Sequence, residues 1–149
     1  LLSAWGRMVL RHSSCHRIMM SGSGRTSGKG DRTTMTIHMD ADSLTRFMVH
    51  EFPQVASDLT VGNPDATGLT VSLTTGDQHL RPGGTVSGPT LFTLADVAFY
   101  LLILSRIGPE ALTVTTNATI NFMRKPAPGI IFGDARILKQ DDAVENTVK

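Results

Sequence analysis

The sequence predicts an α+β fold in which an antiparallel sheet packs against one long helix. A long apolar run, residues 94–104, follows a helix-start signal at Ser87 or Gly88 and stops at Gly108. Segments that alternate apolar and polar residues, typical of half-buried strands, stand before and after that run. The order along the chain is therefore helix, strand, long helix, strand, strand.

A short amphipathic helix is predicted for residues 40–53, DADSLTRFMVHEFP, because apolar residues recur there at helical spacing. Asp42 or Ser43 is expected to cap its start, and Pro53 to end it. The apolar positions of this helix are Leu44, Phe47, Met48 and Phe52.

Three segments have the period-two alternation of strands. The first is GLTVSLTT, residues 68–75, and a break follows it at RPGG, residues 81–84. The second is ALTVTTNATINFM, residues 111–123, which predicts a strand of about a dozen residues. After the turn KPAPG, residues 125–129, the segment IIFGDARILK, residues 130–139, predicts the last strand.

The chain has 149 residues, 40% hydrophobic and 18% charged, which suits one domain with a modest core. Residues 1–34 carry an excess of basic residues and are rich in Arg, Ser and Gly. We interpret them as a disordered or non-native basic leader, either translated upstream sequence or a cloning remnant, with an organellar transit peptide as the alternative. Residues 35–149, the predicted domain, are net acidic, which argues against a nucleic-acid partner.

Cys15 is the only cysteine, so the chain has no internal disulfide and no cysteine-built zinc site. A single cysteine fits a reducing compartment, and a cytoplasmic location is expected. The apolar run of residues 94–104 contains Asp96 and is shorter than the roughly 20 residues of a membrane span. We therefore interpret it as part of a buried helix, and we expect no membrane partner.

Asp96 is a carboxylate within that apolar run. With Thr90, Thr93 and Tyr100 it forms one polar stripe along the predicted helix, because the steps between them are three, three and four residues. Such a stripe meets either polar partners or a water-lined cleft. Asp96 is then either a core carboxylate satisfied by hydrogen bonds or a functional group.

The start of the helix, SGPT, offers free backbone N–H groups and the positive end of the helix dipole, where a developing oxyanion could bind. An ordinary capped helix is the alternative. Gly88 and Asp96 are eight residues apart, about 12 Å along one helix, too far to act on one carbonyl group. If two copies pair with these helices antiparallel, Gly88 of one copy approaches Asp96 of the other.

The succession HLRPGGTVSGPTLFTLADVAFY, then TVTTNATINFMRKPAPG, resembles the hotdog-fold acyl-CoA thioesterases of the phenylacetate-degradation type. The resemblance covers about residues 40–139. It implies a sheet wrapped around one long central helix, a homodimer or tetramer, and acyl-CoA bound at the subunit interface. It also implies hydrolysis of the thioester without a metal or redox cofactor.

The resemblance assigns roles to four residues around the helix start. Asp96 matches the family carboxylate that attacks the thioester or activates water, and Gly88 matches the glycine whose N–H polarises the carbonyl. Ser87 stands where the family has His, and Arg81 where it has an amide side chain. A Ser hydroxyl could orient water or the thioester, and Arg81 could pair with Asp96 or contact substrate.

Further residues are assigned to substrate binding. Tyr100 is expected to orient substrate or to serve as an interface aromatic. Arg124 and Lys125 are expected to meet CoA phosphates or to form a solvated strand end. Pro89 and Thr93, in the first turns of the helix, complete the set. His79 could reach the cleft but is not assigned a catalytic role.

The leading hypothesis is an acyl-CoA or aryl-CoA thioesterase. A non-catalytic acyl-CoA-binding or structural hotdog protein is the second, motivated by Ser87, Arg81 and the short C-terminus; dehydration or hydration of acyl-CoA is a weaker third. Family members usually continue with two more strands after residues 130–139. An unpaired sheet edge is therefore expected there.

Overall fold

The protein forms a four-stranded antiparallel sheet on which one long helix packs. The computed structural model describes residues 3–12, 36–113, 115, 120–122 and 124–141. The strand order in the sheet is β1–β6–β3–β2, and β4 and β5 form a separate small hairpin. The strands are β1 (Ser3–His12), β2 (Leu59–Val61), β3 (Leu69–Thr74), β4 (Leu80–Arg81), β5 (Thr85–Val86) and β6 (Ile130–Asp141). The helices are α1 (Ala41–Glu51), α2 (Pro53–Ala56) and α3 (Gly88–Ile107).

Helix α3 is the central element, and its bounds agree with the sequence prediction. Ser87 is the N-cap, and its side chain accepts a hydrogen bond from the backbone N–H of Thr90. Gly108, with φ of 91°, ends the helix in a conformation that glycine adopts without strain. One face of α3 is buried against β6, β3 and β1. Its buried apolar residues are Leu91, Leu94, Val97, Ala98, Leu101, Leu102 and Leu104.

Helix α3 is long and apolar enough, by length and composition, to cross a membrane. The apolar stretch is thus longer than the run of residues 94–104 suggested. Half of the most apolar part of α3 is buried inside the domain, a pattern that the core helix of a folded domain also produces.

Helix α1 forms where the apolar spacing predicted it, with Leu44 and Met48 buried. The predicted cap was wrong. Asp40, rather than Asp42 or Ser43, is the N-cap, because its carboxylate accepts a hydrogen bond from the Ser43 N–H at 2.9 Å. Hydrogen bonding to Ser43, first through its side chain and second through this N–H, lowers the pKa of Asp40.

Strands β3 and β6 confirm two of the three predicted strands. They pair antiparallel, with Leu69 opposite Ala135 and Leu73 opposite Ile131, and all four side chains are buried. Beyond the predicted end at residue 139, β6 continues to Asp141. Helix α3 packs on this pair of strands.

Strand β1 corrects the interpretation of the leader. The disorder expected for residues 1–34 does not extend to Ser3–His12, which pair antiparallel with β6. Leu10 packs against the hydrophobic core. The edge of β6 that was expected to be unpaired is therefore covered, because a strand from the other end of the chain lies along it. Residues 1–2 and 13–34 of the predicted leader lie outside the described residues. The division of the chain into a leader and a domain stays a prediction.

The strand predicted for residues 111–123 is wrong where the structure describes that segment. Residues 111–113, 115 and 120–122 are not in a strand, and the other residues of the segment lie outside the described part. Alternation alone does not form a strand, because the backbone groups need a neighbour to pair with. Both edges of β6 are already taken, by β1 and β3.

Candidate active site

Asp96 lies in the middle of α3, where its side chain is half-buried. Its Oδ1 accepts a hydrogen bond from Thr115 Oγ1 at 2.6 Å. Oδ2 has no hydrogen-bond partner among the described residues. The carboxylate is therefore oriented through one oxygen, while the other is available to a water molecule or a substrate.

The N–H of Gly88 is the unpartnered donor at the start of α3. Leu91 N–H donates to the Ser87 carbonyl at 3.2 Å, and Thr90 N–H donates to Ser87 Oγ at 3.3 Å. Pro89 has no N–H. Within the described part of the chain the Gly88 N–H has no acceptor, so it can polarise the carbonyl oxygen of a ligand with the help of the helix dipole.

Neither backbone conformation nor packing requires glycine at position 88. Gly88 is not among the described glycines with a positive φ. A Cβ built on it would lie 3.6 Å from Cζ of Phe122, an ordinary van der Waals contact. The missing side chain therefore leaves the N–H open to a ligand rather than relieving a clash inside the chain.

Ser87 serves the helix rather than an open cleft. Its Oγ lies 2.9 Å from Thr90 Oγ1 and also accepts from the Thr90 N–H. The predicted role of Ser87 in orienting water or the thioester is not tested, but its hydroxyl is occupied by capping.

Arg81 does not pair with Asp96 within this chain. Its Nε donates to Thr85 Oγ1 at 2.8 Å across the β4–β5 hairpin, and the side chain is exposed. Among the described residues no ion pair joins Arg81 to Asp96. Pro82 and the positive-φ residues Gly83 and Gly84 form the turn of this hairpin. That turn replaces the simple break expected after the first strand.

Tyr100 contacts both the segment that follows α3 and helix α1. Its hydroxyl donates to the Ala111 carbonyl at 3.3 Å, and its ring packs on Phe47 with centroids 6.3 Å apart. Burial, and secondarily the charge of Glu51, raises the pKa of Tyr100. These contacts favour a structural role that links α3 to α1.

The remaining predicted substrate-binding residues are exposed. The hydroxyl of Thr93 donates back to the Pro89 carbonyl at 3.0 Å, and both residues are exposed on α3. Arg124 and Lys125 are exposed after the segment that contains Phe122. The structure leaves Arg124 and Lys125 accessible to a ligand and tests neither of their expected roles.

Two residues of the site were missed by sequence reasoning. Thr115, the partner of Asp96, is one of several threonines in TVTTNATINF, and nothing in the sequence distinguishes it from its neighbours. Phe122 was counted only as an apolar strand position. The tip of its ring lies beside Gly88, and the residue is 56% exposed. Phe122 reaches the start of α3 only through the path that the chain takes after the helix, which the sequence pattern does not show.

The open side of α3 is largely apolar. Phe92 is 41% exposed, and Phe99 and Ile103 are half-buried. Asp96 lies on this side of the helix, between Phe92 and Phe99 in sequence. Gly88 and Asp96 remain about 12 Å apart on the one helix, so a single chain does not bring its free N–H and its carboxylate onto one carbonyl group.

The family model of the thioesterase superfamily matches residues 83–144, which include α3 and β6. A candidate thioesterase from Silicibacter sp. TM1040 is similar at 31% identity and a TM-score of 0.57, over 74% of this chain and 97% of that chain. Zebrafish thioesterase superfamily member 2 shares the fold at 14% identity and a TM-score of 0.53, over 68% of this chain and 99% of that chain.

The PaaI protein from the phenylacetic acid degradation operon of E. coli is also similar, at 18% identity and a TM-score of 0.44, over 65% of this chain and 96% of that chain. No curated protein matches. The antiparallel sheet packed on one long central helix is the hotdog fold, as the sequence resemblance implied.

Proposed function

Since the chain belongs to the thioesterase superfamily, we propose that it hydrolyses an acyl-CoA or aryl-CoA thioester to the free acid and CoA. One observation carries this proposal: α3 has an unpartnered Gly88 N–H at its start and an accessible Asp96 carboxylate, held by Thr115, on its open side. Hydrolysis needs two groups: an N–H that polarises the carbonyl and a carboxylate that supplies or activates a nucleophile.

Asp96 acts as general base or as nucleophile. As a base, its free Oδ2 takes a proton from water, and the water oxygen forms a bond to the thioester carbon. The carbonyl oxygen becomes an oxyanion that accepts the Gly88 N–H. When the C–S bond breaks, the electron pair leaves with sulfur, and the CoA thiolate takes up the proton that Asp96 had removed from water, which regenerates the carboxylate. As a nucleophile, the Asp96 carboxylate attacks the thioester carbon, displaces the CoA thiolate and forms a mixed anhydride with the acyl group. Water then hydrolyses this anhydride to the free acid and regenerates the carboxylate.

The complete site needs a second copy of the chain. Because Gly88 and Asp96 are separated along one helix, an antiparallel α3 from a second copy would bring its Asp96 beside Gly88 of the first. The exposed and half-buried apolar residues on the open side of α3, Phe92, Phe99 and Ile103, support such a contact, since apolar side chains grouped on one side of a helix are normally covered. A homodimer with two equivalent sites is the simplest assembly, and two dimers could form a tetramer.

The two ends of the substrate have separate candidate contacts. Phe122, beside Gly88, would cover the acyl group next to the thioester. The exposed cations Arg124 and Lys125 lie two and three residues further along the chain and would meet the phosphates of CoA. Pro89 and Thr93 are exposed on α3 near its start and would border the bound substrate.

Thiol release from a panel of short, medium, long and aryl acyl-CoA esters tests the proposal. The full chain is compared with Asp96→Asn, which keeps the shape of the side chain and one acceptor oxygen for Thr115. An active parent beside an inactive, folded variant supports the roles proposed. A variant as active as the parent contradicts the role of Asp96.

A non-catalytic acyl-CoA-binding protein is the second candidate. Ser87 and Arg81 favour it, because the hydroxyl of Ser87 is used in capping and Arg81 donates to Thr85 instead of facing Asp96. Binding of these esters by the folded parent without thiol release would establish this second function and exclude the first.

A further inference from the structure

His79 has a side chain that is held on both ring nitrogens. It ends the 3₁₀ turn Asp77–His79, directly before β4, and its side chain is only 14% exposed. Nδ1 accepts a hydrogen bond from the Gly76 N–H at 2.9 Å. Since Nδ1 is the acceptor, the proton of the neutral ring lies on Nε2, which faces Asp58 Oδ2 at 3.4 Å.

The backbone of His79 reaches the start of α3. Its carbonyl oxygen accepts the N–H of Ser87 at 2.9 Å and the hydroxyl of Thr90 at 3.2 Å. Thr90 in turn bonds Ser87 Oγ. One carbonyl therefore ties together the cap residue and the first turn, and the ring fixes the position of that carbonyl.

This arrangement explains why the free donor at the start of α3 is the N–H of Gly88 and not the N–H of a neighbouring residue. The Ser87 N–H is used by the His79 carbonyl, and the N–H groups of Thr90 and Leu91 are used by Ser87. If the His79 carbonyl moved away, Ser87 would lose one bond and Thr90 another. The cap would loosen, and the direction of the Gly88 N–H would no longer be fixed.

We propose that His79 is a positioning residue, which holds the first turn of α3 so that the Gly88 N–H stays free and correctly directed. His79 touches no reacting atom in this role; it acts through its carbonyl. The effect of His79 on catalysis rests on the proposed function. The hydrogen bonds that connect His79 to Gly76 and to Ser87 do not depend on it.

The test compares His79→Asn with His79→Gln and His79→Ala. In Asn, Oδ1 stands as many bonds from the backbone as Nδ1 of His, so it can accept the Gly76 N–H; in Gln the acceptor is one bond farther away. His79→Gln and His79→Ala are expected to lower kcat about tenfold with KM nearly unchanged, because a misdirected oxyanion donor affects the transition state. His79→Asn is expected to retain most of the activity.

His50→Ala is the matched control. His50 is an exposed histidine of α1 that bonds Glu51, and this variant should be fully active.

Amide hydrogen exchange supplies the readout that does not depend on turnover. The Ser87 amide should exchange about tenfold faster in His79→Ala than in the parent, and at the parent rate in His79→Asn, while amides in the middle of α3 stay protected. Unchanged exchange at Ser87 in His79→Ala overturns the proposal, and so does a loss of protection along all of α3. An inactive His79→Asn variant with parent-like exchange also overturns it. If the parent releases no thiol from any ester, the proposed function fails, and the exchange comparison alone decides whether His79 positions the turn.

Discussion

Thr115 Oγ1 donates a hydrogen bond of 2.6 Å to Asp96 Oδ1, which links the middle of α3 to the segment that follows the helix. Thr115 is exposed and Asp96 is half-buried, so the pair lies at the surface of the isolated chain. The bond holds one carboxylate oxygen and leaves the other without a partner among the described residues. The direction of the free oxygen is thereby set before any substrate binds.

Thr115→Val, which removes the hydroxyl but keeps the shape, should lower kcat about tenfold, the effect of losing one hydrogen bond to a charged group. Thr115→Ser keeps the hydroxyl and should stay close to the parent. Thiol release at saturating substrate measures the difference. A loss in Thr115→Ser with Thr115→Val at the parent rate would show that the methyl group, rather than the hydroxyl, matters at this position.

Gly88→Ala should separate stability from activity. The new Cβ makes only ordinary contact with Phe122, and alanine is the better helix former, so thermal unfolding should occur at the same temperature or higher. The same Cβ stands beside the free N–H, and kcat/KM is expected to fall by more than about tenfold. A fully active Gly88→Ala variant would contradict the inference that the missing side chain keeps the N–H open to the carbonyl, and a variant that melts much earlier would show that the glycine is structural.

The long helix and strands β3 and β6 were predictable because each has a periodic apolar face and clear start or stop residues, such as Ser87 and Gly108. The predicted polar stripe drew attention to Asp96, which is half-buried and bonded to Thr115. The sequence could not predict which threonine would face it, since Thr115 meets Asp96 only through the path of the chain after α3. Nor could it predict β1, because its partner β6 lies at the opposite end of the chain and no local pattern records such pairing.

Phe122→Ala should change substrate preference. The exposed ring beside Gly88 can bury apolar surface only against an acyl group large enough to reach it. We expect kcat/KM for hexanoyl-CoA to fall about tenfold and that for acetyl-CoA to change less than about twofold, in line with the free energy of burying part of an aromatic side chain.

Val49→Ala is the control for Phe122→Ala. Val49 is 58% exposed on α1 and is not one of the residues placed at the site, so its truncation should affect neither ester. Sedimentation of both variants shows whether assembly has changed. An equal loss for acetyl-CoA and hexanoyl-CoA in Phe122→Ala, with altered sedimentation, would place the ring in a subunit contact instead of the acyl pocket.

Mixing two impaired variants tests whether one site draws on two copies of the chain. In a dimer of one Gly88→Ala chain and one Asp96→Asn chain, one site holds both changed residues, and the other holds an intact Gly88 and an intact Asp96. Half of the dimers in an equal mixture that has fully exchanged are of this mixed kind, so about a quarter of the parent activity should return. Each variant alone should stay below about a tenth of the parent activity at the same concentration. Absence of recovery, after tagged chains show that exchange has occurred, would mean that Gly88 and Asp96 do not serve one site across the dimer.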